Sequence, residues 1–232
     1  MAKRPNSETI TAEVGDLLRA DILSATWPPG SRLSVRPLSE RYHTSTTVAR
    51  EALAHLAGDW LVQLKPNRGW FVTDLNMVEL SDLTELRCRV EEFGVALAVE
   101  RGDLTWESQL VAVHHVLEST PRRTTDSARR ISSEWMAAHR VFHSTLLQPC
   151  QLDQLVTLSE TLSDLSAFYR QLVAPTPMAE ARNVEDEHRG LLDAALARDA
   201  ALTGKLLREH YGKTLAVIAA SGAVRSDECL AA

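Results

Sequence analysis

The chain has 232 residues, of which 44% are hydrophobic and 24% are charged, a composition typical of a water-soluble globular protein with one or two domains. It contains no apolar run of membrane-spanning length and no signal-peptide core at its start, so we expect a cytoplasmic protein with no membrane partner. The three cysteines, Cys88, Cys150 and Cys229, are odd in number and lack metal-binding spacing, so we interpret them as free thiols.

Apolar residues at helical spacing predict a first helix that ends at the turn formed by residues 27–30. Leu38 and Tyr42 lie four residues apart and predict a second, short helix. Residues 43–45 interrupt this pattern, and Ser45 is a suitable N-cap for a third helix. Two short helices joined by a three-residue turn are typical of a helix-turn-helix, whose second helix enters the DNA major groove.

The third helix has two faces of different chemistry. Its apolar face contains Val48, Ala52, Leu53 and Leu56, and its outward face contains Thr46, Thr47 and Arg50. Hydroxyl and guanidinium groups bond to base edges and phosphates, although a solvated face on an ordinary helical hairpin gives the same pattern. Residues 61–64 and 70–73 then predict two strands around a turn, which indicates a wing and favours DNA binding.

Residues 9–75 resemble the winged helix-turn-helix domain of the GntR family of bacterial transcription regulators. The resemblance rests on LLRADIL at 17–23, PPGSRLS at 28–34, the PLSERY…VAREAL run at 37–53 and NRGWFV at 67–72. It implies that DNA is contacted by Arg36, Ser45, Thr46, Thr47, Arg50, Asn67, Arg68 and Gly69.

One position departs from the family pattern. The residue after the N-cap serine is commonly Arg in this family, whereas this chain has Thr46. Loss of a bidentate guanine contact costs about 1–3 kcal/mol of discrimination at one base. We therefore expect an operator sequence that differs from the family's usual one.

The net charge of −6 is distributed unevenly along the chain. Residues 1–74 carry nine Lys and Arg against eight Asp and Glu, whereas residues 75–232 carry 16 against 23. The acidic excess therefore lies in the second part. A nearly neutral DNA-binding domain needs its few arginines on one face and is expected to bind as two copies.

From Met77 onward the strand signals disappear. Helical patterns predict helices at residues 79–101, 106–119, 128–147, 152–173, 178–198 and 200–220. In the helix at 79–101, the residues expected to point inward are Leu83, Leu86, Val90, Phe93 and Leu97. The predicted fold class is mainly α: an N-terminal winged helix-turn-helix at 9–75, then an antiparallel bundle of six to seven helices at 77–220.

Four histidines of this bundle are candidate metal ligands: His139, His143, His188 and His210. His139 and His143 lie four residues apart and point the same way. Such a pair commonly holds a divalent ion together with ligands from facing helices. Scattered helix histidines, some of them in the core, give the same spacing, so both interpretations stay open on the pattern alone.

Residues 78–218 resemble the helical FCD-type ligand-binding domain of the FadR subgroup of this family. The resemblance rests on LTELRCRVEE at 83–92, HRVFH at 139–143, EHRGLLDAALARDAA at 187–201 and REHY at 208–211. Many members hold a divalent metal there with one Asp and three His, and this chain has His139 at the Asp position. An all-imidazole set suits zinc or nickel better than magnesium, although the site could also be empty.

In this subgroup the metal helps to hold the carboxylate of a small organic acid inside the bundle. The resemblance makes Arg87 a candidate for a second contact with that effector. A surface ion pair with Glu91, four residues further on, explains Arg87 equally well. The adjacent His114 and His115 face different ways, and we interpret both as solvated.

These observations predict a transcription regulator, acting as a repressor, that binds a palindromic double-stranded DNA operator as a homodimer. A small carboxylate effector would control operator binding through its different affinity for two arrangements of the protein. An activator fits the same sequence, because the position of the operator decides the sign. A metal-dependent hydrolase is the alternative from another class, but no general base or nucleophile motif accompanies the histidines, so we expect no enzyme.

Overall fold

The computed structural model describes residues 7–125 and 130–225 of the chain. Within those residues it contains ten α-helices and a three-stranded antiparallel sheet, and the chain divides into two units, Met1–Leu75 and Asn76–Ala232. The mainly α fold class is therefore confirmed. None of the helices in the described ranges combines the length and the apolar character that crossing a membrane requires.

The first unit contains α1 (Ser7–Leu23), β1 (Arg32–Leu33), α2 (Val35–Arg41), α3 (Thr46–Gly58), β2 (Val62–Lys65) and β3 (Gly69–Val72). The strand order is β1-β3-β2, and β2 pairs with β3 from Val62 opposite Val72 to Lys65 opposite Gly69. The sequence pattern did not predict β1, because a two-residue strand is too short to show alternation.

The core of this unit lies between the apolar faces of its three helices. Its buried side chains include Val14, Leu18, Ile22, Leu38, Ala52, Leu53 and Leu56. Asp21 of α1 holds the end of α2, because its carboxylate accepts hydrogen bonds from Arg41 at 2.8 Å and from the Tyr42 hydroxyl at 2.7 Å. The helix-turn-helix is thereby fixed against α1.

The second unit contains α4 (Met77–Arg101), α5 (Leu104–Ser119), α6 (Ser133–Leu147), α7 (Asp153–Val173), α8 (Pro177–Ala181), α9 (Val184–Leu196) and α10 (Ala200–Ser221). The helix predicted at 178–198 is two helices, because Asn183 caps α9 by accepting the Asp186 N–H at 3.1 Å. The predicted start of the helix at 128–147 falls partly outside the described residues. α6 itself begins after Ser132, which caps it.

The inward face of α4 differs from the predicted one. Leu86 and Phe93 are 42% and 57% exposed, whereas Arg87 and Glu91 are each 1% exposed. The apolar pattern failed here because two charged residues four apart can enter a core as a pair, and a hydrophobic pattern counts both as polar. Of the five residues expected to point inward, Leu83 alone is classed as buried.

Candidate metal centre and nucleic-acid interface

The predicted DNA contacts on α3 lie on exposed surface at the start of the helix. Ser45, Thr46, Thr47 and Arg50 are all exposed. The Ser45 hydroxyl accepts the Val48 N–H at 3.2 Å, so this cap fixes the first turn, from which a recognition helix reads bases. These four residues, together with Arg36 and the wing tip at 67–69, are called the DNA-reading surface below.

Arg36 lies on α2 with its side chain 87% exposed, and its Nε donates to Glu40 at 3.1 Å. An ion pair this exposed contributes at most about 1 kcal/mol. Arg36 can therefore exchange Glu40 for a phosphate at small cost.

The wing turn presents cations beside an aromatic ring. Asn67 has φ 57° and Gly69 has φ 92°, a left-handed conformation that glycine adopts without strain. The Arg68 guanidinium lies 5.7 Å and the Lys65 ammonium 5.0 Å from the centre of the Phe71 ring. Lys65, which the sequence analysis did not include, thus lies beside the wing turn, and its place next to that turn is the signal that could have identified it.

Four histidine side chains from three helices meet inside the second unit. His139 and His143 come from α6, His188 from α9 and His210 from α10, and each is less than 5% exposed. One ring nitrogen of each lies within 4.8 Å of the others. The four residues are called the histidine cluster below.

The Nε2 atom of every member of the histidine cluster is buried and has no hydrogen-bond partner among the described residues. Buried polar atoms without partners are costly, and four of them around one point are not expected in a finished core. A divalent cation would satisfy all four lone pairs at once, so the donor set fits a metal.

The opposite nitrogens of two members are hydrogen-bonded to protein groups. His210 Nδ1 lies 2.7 Å from Glu187 Oε2, and His143 Nδ1 lies 3.1 Å from the Tyr211 hydroxyl. Tyr211 donates its own proton to Glu91, so its oxygen accepts from His143. Both contacts keep the proton on Nδ1 and direct the Nε2 lone pair to the centre of the cluster.

The histidine cluster is neutral at physiological pH. Burial lowers the pKa of His139, His143 and His188 well below the usual range, and it lowers the pKa of His210 to about 4. Neutral imidazole is the form that binds metals.

Glu187, which accepts a hydrogen bond from His210, is ionised. Burial alone would raise the pKa of Glu187, but hydrogen bonds from His210 and Arg182 outweigh this effect and hold that pKa below its ordinary value. An ionised Glu187 is the form that can accept the Nδ1–H hydrogen bond and raise the basicity of the ring.

Arg87 is buried, so the interpretation of Arg87 as a surface residue was wrong. Its Nε donates to Glu91 at 2.7 Å and one terminal nitrogen donates to Ser163 at 3.1 Å, both inside the protein. The guanidinium also lies 3.9 Å from the centre of the Tyr211 ring. The ion pair with Glu91 therefore exists but is buried, and through Tyr211 it is connected to His143.

His114 also differs from its interpretation as a solvated residue. It is 6% exposed, and its ring lies 5.6 Å from the ring of Phe142 in an edge-to-face contact. Burial lowers its pKa. His115 is exposed, as expected. The sequence also gave no role to Glu187 and Tyr211, although each directly adjoins a cluster histidine in the chain.

A winged helix-turn-helix with an exposed recognition helix, followed by a helical unit with an enclosed donor cluster, defines a DNA-binding transcription regulator with a sensory domain. The family model described as "Bacterial regulatory proteins, gntR family" matches residues 10–72, and the FCD domain model matches residues 82–213. The chain belongs to the GntR family, and its FCD domain assigns it to the FadR-like subgroup.

Curated relatives agree with this assignment. The HTH-type transcriptional regulator BphR of Paraburkholderia xenovorans is 35% identical over 90% of this chain and 84% of its own length. The HTH-type transcriptional repressor GlaR of Escherichia coli is 31% identical over 87% of this chain and 92% of its own length. The family and these relatives are transcription regulators and not enzymes. The hydrolase alternative is therefore excluded.

Solved structures show the same fold. E. coli McbR/YncC superposes with a TM-score of 0.75 at 22% identity, covering 95% of this chain and 99% of that one. A GntR regulator from Rhodococcus sp. RHA1 superposes with a TM-score of 0.71 at 23% identity, covering 91% and 98%. FCD domains often bind a metal, which agrees with the histidine cluster.

Proposed function

We propose that this chain is a transcriptional repressor whose operator binding is controlled by a small organic acid, held through a divalent metal at the histidine cluster. The observation that carries the proposal is the set of four buried, unpartnered Nε2 atoms, with ring nitrogens within 4.8 Å of one another. Nothing else among the described residues satisfies these atoms, and a cation does.

The metal is zinc or nickel, because imidazole nitrogens suit these ions and carboxylate oxygens suit magnesium. His139 stands where many members of the subgroup have Asp, so the ligand set carries no negative charge. A divalent ion bound by four neutral imidazoles would keep its full positive charge. It would therefore attract the carboxylate of an effector more strongly than an ion that is also bound by an Asp. The protein supplies Glu187 and Tyr211 to orient His210 and His143.

Arg87 is proposed to act on the same effector, and its contacts suggest how. It lies in a buried network with Glu91 and Ser163, so a direct contact with the acid requires Arg87 to exchange one of these partners. An effector that binds one state of this network better than the other shifts the balance between a DNA-binding and a released form.

The DNA-reading surface is proposed to bind one half of a palindromic operator, with a second copy of the chain on the other half. The relative GlaR is named a repressor, which supports repression over activation here. A regulator of this kind acts where the bacterial DNA lies, so we place it in the cytoplasm.

The proposal is tested by selecting bound sequences from a random DNA duplex pool with the metal-loaded full chain. We expect a palindromic consensus that two chains bind, and we expect small carboxylates to release a labelled copy of it in fluorescence anisotropy. A pool without any enriched sequence would contradict the operator assignment, and retention of DNA at millimolar acid would contradict the effector assignment.

A further inference from the structure

We propose that the effector is a small dicarboxylate, and that Arg122, Arg170 and Arg182 bind its second carboxylate beside the histidine cluster. This inference rests on the proposed function, because the first carboxylate is assigned to the metal. It adds the class of acid and the residues that select it.

The three arginines line one narrow cavity in the second unit. Its other walls are largely apolar and include Val173 and Val217. The free volume is about 20 Å³, which is the room for about one water molecule. A space this small suits the carboxylate end of a short acid, with the apolar walls against its methylene groups.

This cavity lies close to the histidine cluster. The charge of Arg170 lowers the pKa of His139, His143, His188 and His210, so its guanidinium is within electrostatic reach of the whole cluster. Arg182 contacts the cluster directly, because it donates to the His210 carbonyl oxygen at 2.8 Å. Arg170 and Arg182 therefore connect the cavity to the cluster, and the proposed acid joins the two sites.

Two of the three arginines lack an acidic hydrogen-bonding partner. Arg182 pairs with Glu187, but among the described residues Arg170 makes no hydrogen bond or ion pair. Arg122 donates to the Arg182 carbonyl oxygen at 3.2 Å, while its buried Nε has no partner in the same described set. Three guanidiniums thus face two carboxylates, Glu185 and Glu187, so the group keeps a net charge of about one positive unit.

Burial and neighbouring positive charges both disfavour a charged guanidinium, and the pKa values of Arg170 and Arg122 are lowered accordingly. Burial is the largest cause that lowers the pKa of Arg170 to about 9, and the charge of Arg87 lowers it further. Burial also lowers the pKa of Arg122, while Glu185 opposes that shift. An anion between Arg122 and Arg170 would accept hydrogen bonds from their free N–H groups and offset the repulsion between the two charges. A monocarboxylate bound to the metal has no second carboxylate, so it would leave these N–H groups without an acceptor.

The test is titration calorimetry on the zinc-loaded full chain with two matched series. Succinate, glutarate and adipate carry two carboxylates, and butyrate, valerate and hexanoate carry one on the same carbon chains. We expect the best dicarboxylate to bind about ten- to hundred-fold more tightly than its monocarboxylate partner, since hydrogen bonds to charged groups are worth that factor. Equal affinity across the matched pairs overturns the inference and leaves the proposed function in place.

Variants assign the effect to the arginines. Arg170→Gln should bring the dicarboxylate affinity down to that of the monocarboxylate and leave the monocarboxylate affinity unchanged. Arg122→Gln provides a second variant if the first does not fold, and Arg89→Gln, an exposed arginine of α4, is the matched control. Equal losses for both acids in Arg170→Gln contradict a second-carboxylate site. If no acid binds to protein that has loaded zinc, the effector class fails and the inference fails with it.

Discussion

The DNA-reading surface and the histidine cluster hold their polar side chains in opposite ways. Arg36 of the DNA-reading surface is 87% exposed and pairs with an exposed glutamate, while each cluster histidine is less than 5% exposed. Exposed groups are free to exchange water or a neighbour for DNA, so they contribute to binding and little to stability. Enclosed groups must be satisfied inside the protein, so their loss should affect folding, metal and effector together.

The largest effect that this comparison predicts is on the buried ion pair. Glu91→Ala leaves the Arg87 guanidinium buried without its acidic partner, which should lower the free energy of unfolding by about 3–5 kcal/mol. Urea unfolding followed by circular dichroism measures the change. Glu209→Ala, which removes an exposed pair with Lys205, is the control and should change stability by less than about 0.5 kcal/mol. Equal midpoints for the two variants would refute the energetic contrast.

Acid should destabilise the metal-free second unit. His210 has a folded pKa of about 4 and an unfolded value near 6.5, so its proton binds first to the unfolded chain as the pH falls. Between pH 6.5 and pH 4 this residue alone should remove about 3 kcal/mol, and the other three histidines act in the same direction. Chelated protein melted across this range should show a falling midpoint, and a constant midpoint would disagree with burial of neutral imidazoles.

Removing two cluster histidines should abolish the metal site without affecting the DNA-reading surface. His143→Ala with His188→Ala leaves two imidazoles, and we expect at least about a hundred-fold weaker zinc binding in competition with a chelator. Operator affinity without effector should stay within about two-fold, since neither histidine belongs to the DNA-binding unit. His115→Ala, on exposed surface, is the control. Unchanged zinc affinity in the double variant would mean that the ligand set is wrong.

Arg50→Ala should weaken DNA binding and leave the stability of the protein unchanged. Loss of one guanidinium contact should weaken operator binding by about 1–3 kcal/mol and reduce the salt dependence of binding. Fluorescence anisotropy at several salt concentrations measures both quantities. Arg189→Ala removes another exposed arginine, from α9, and should leave operator binding as it was. A variant at Arg50 that binds like the native chain would remove α3 as the recognition helix.

The smallest effect is expected at the cap of the recognition helix. Ser45→Ala removes the acceptor of the Val48 N–H and should cost about 1 kcal/mol of stability. Ser45→Gly should recover most of that stability, because glycine also suits an N-cap, and yet should not recover any direct contact with DNA. Thermal unfolding and operator affinity measured on both variants separate the capping role from DNA reading.

The first unit could be predicted from the sequence in nearly every element, because its motifs are local. Ser45 as N-cap, the turn before it and the wing turn at 67–69 each follow from residues within a few positions. The short strand β1 is the exception, since its pairing with Trp70 and Phe71 is a long-range contact. The DNA contacts themselves stay predictions until they are tested.

The second unit was predicted in its helices but not in its interior. The grouping of the four histidines was one of two open interpretations, and the structure brings all four together. Arg87 and Glu91 were missed as core residues because polar side chains satisfied by partners on α7 and α10 carry no hydrophobic signal. His114 was missed for the same kind of reason, since its burial depends on Phe142 of a different helix.

The metal at the histidine cluster is tested most directly by elemental analysis of the purified chain, with native mass spectrometry before and after chelation. We expect one zinc or nickel ion for each chain, which is lost on chelation and regained when the ion is restored. Protein that stays free of metal even after incubation with both ions would contradict the proposed metal centre, because the four buried Nε2 atoms would then need another partner.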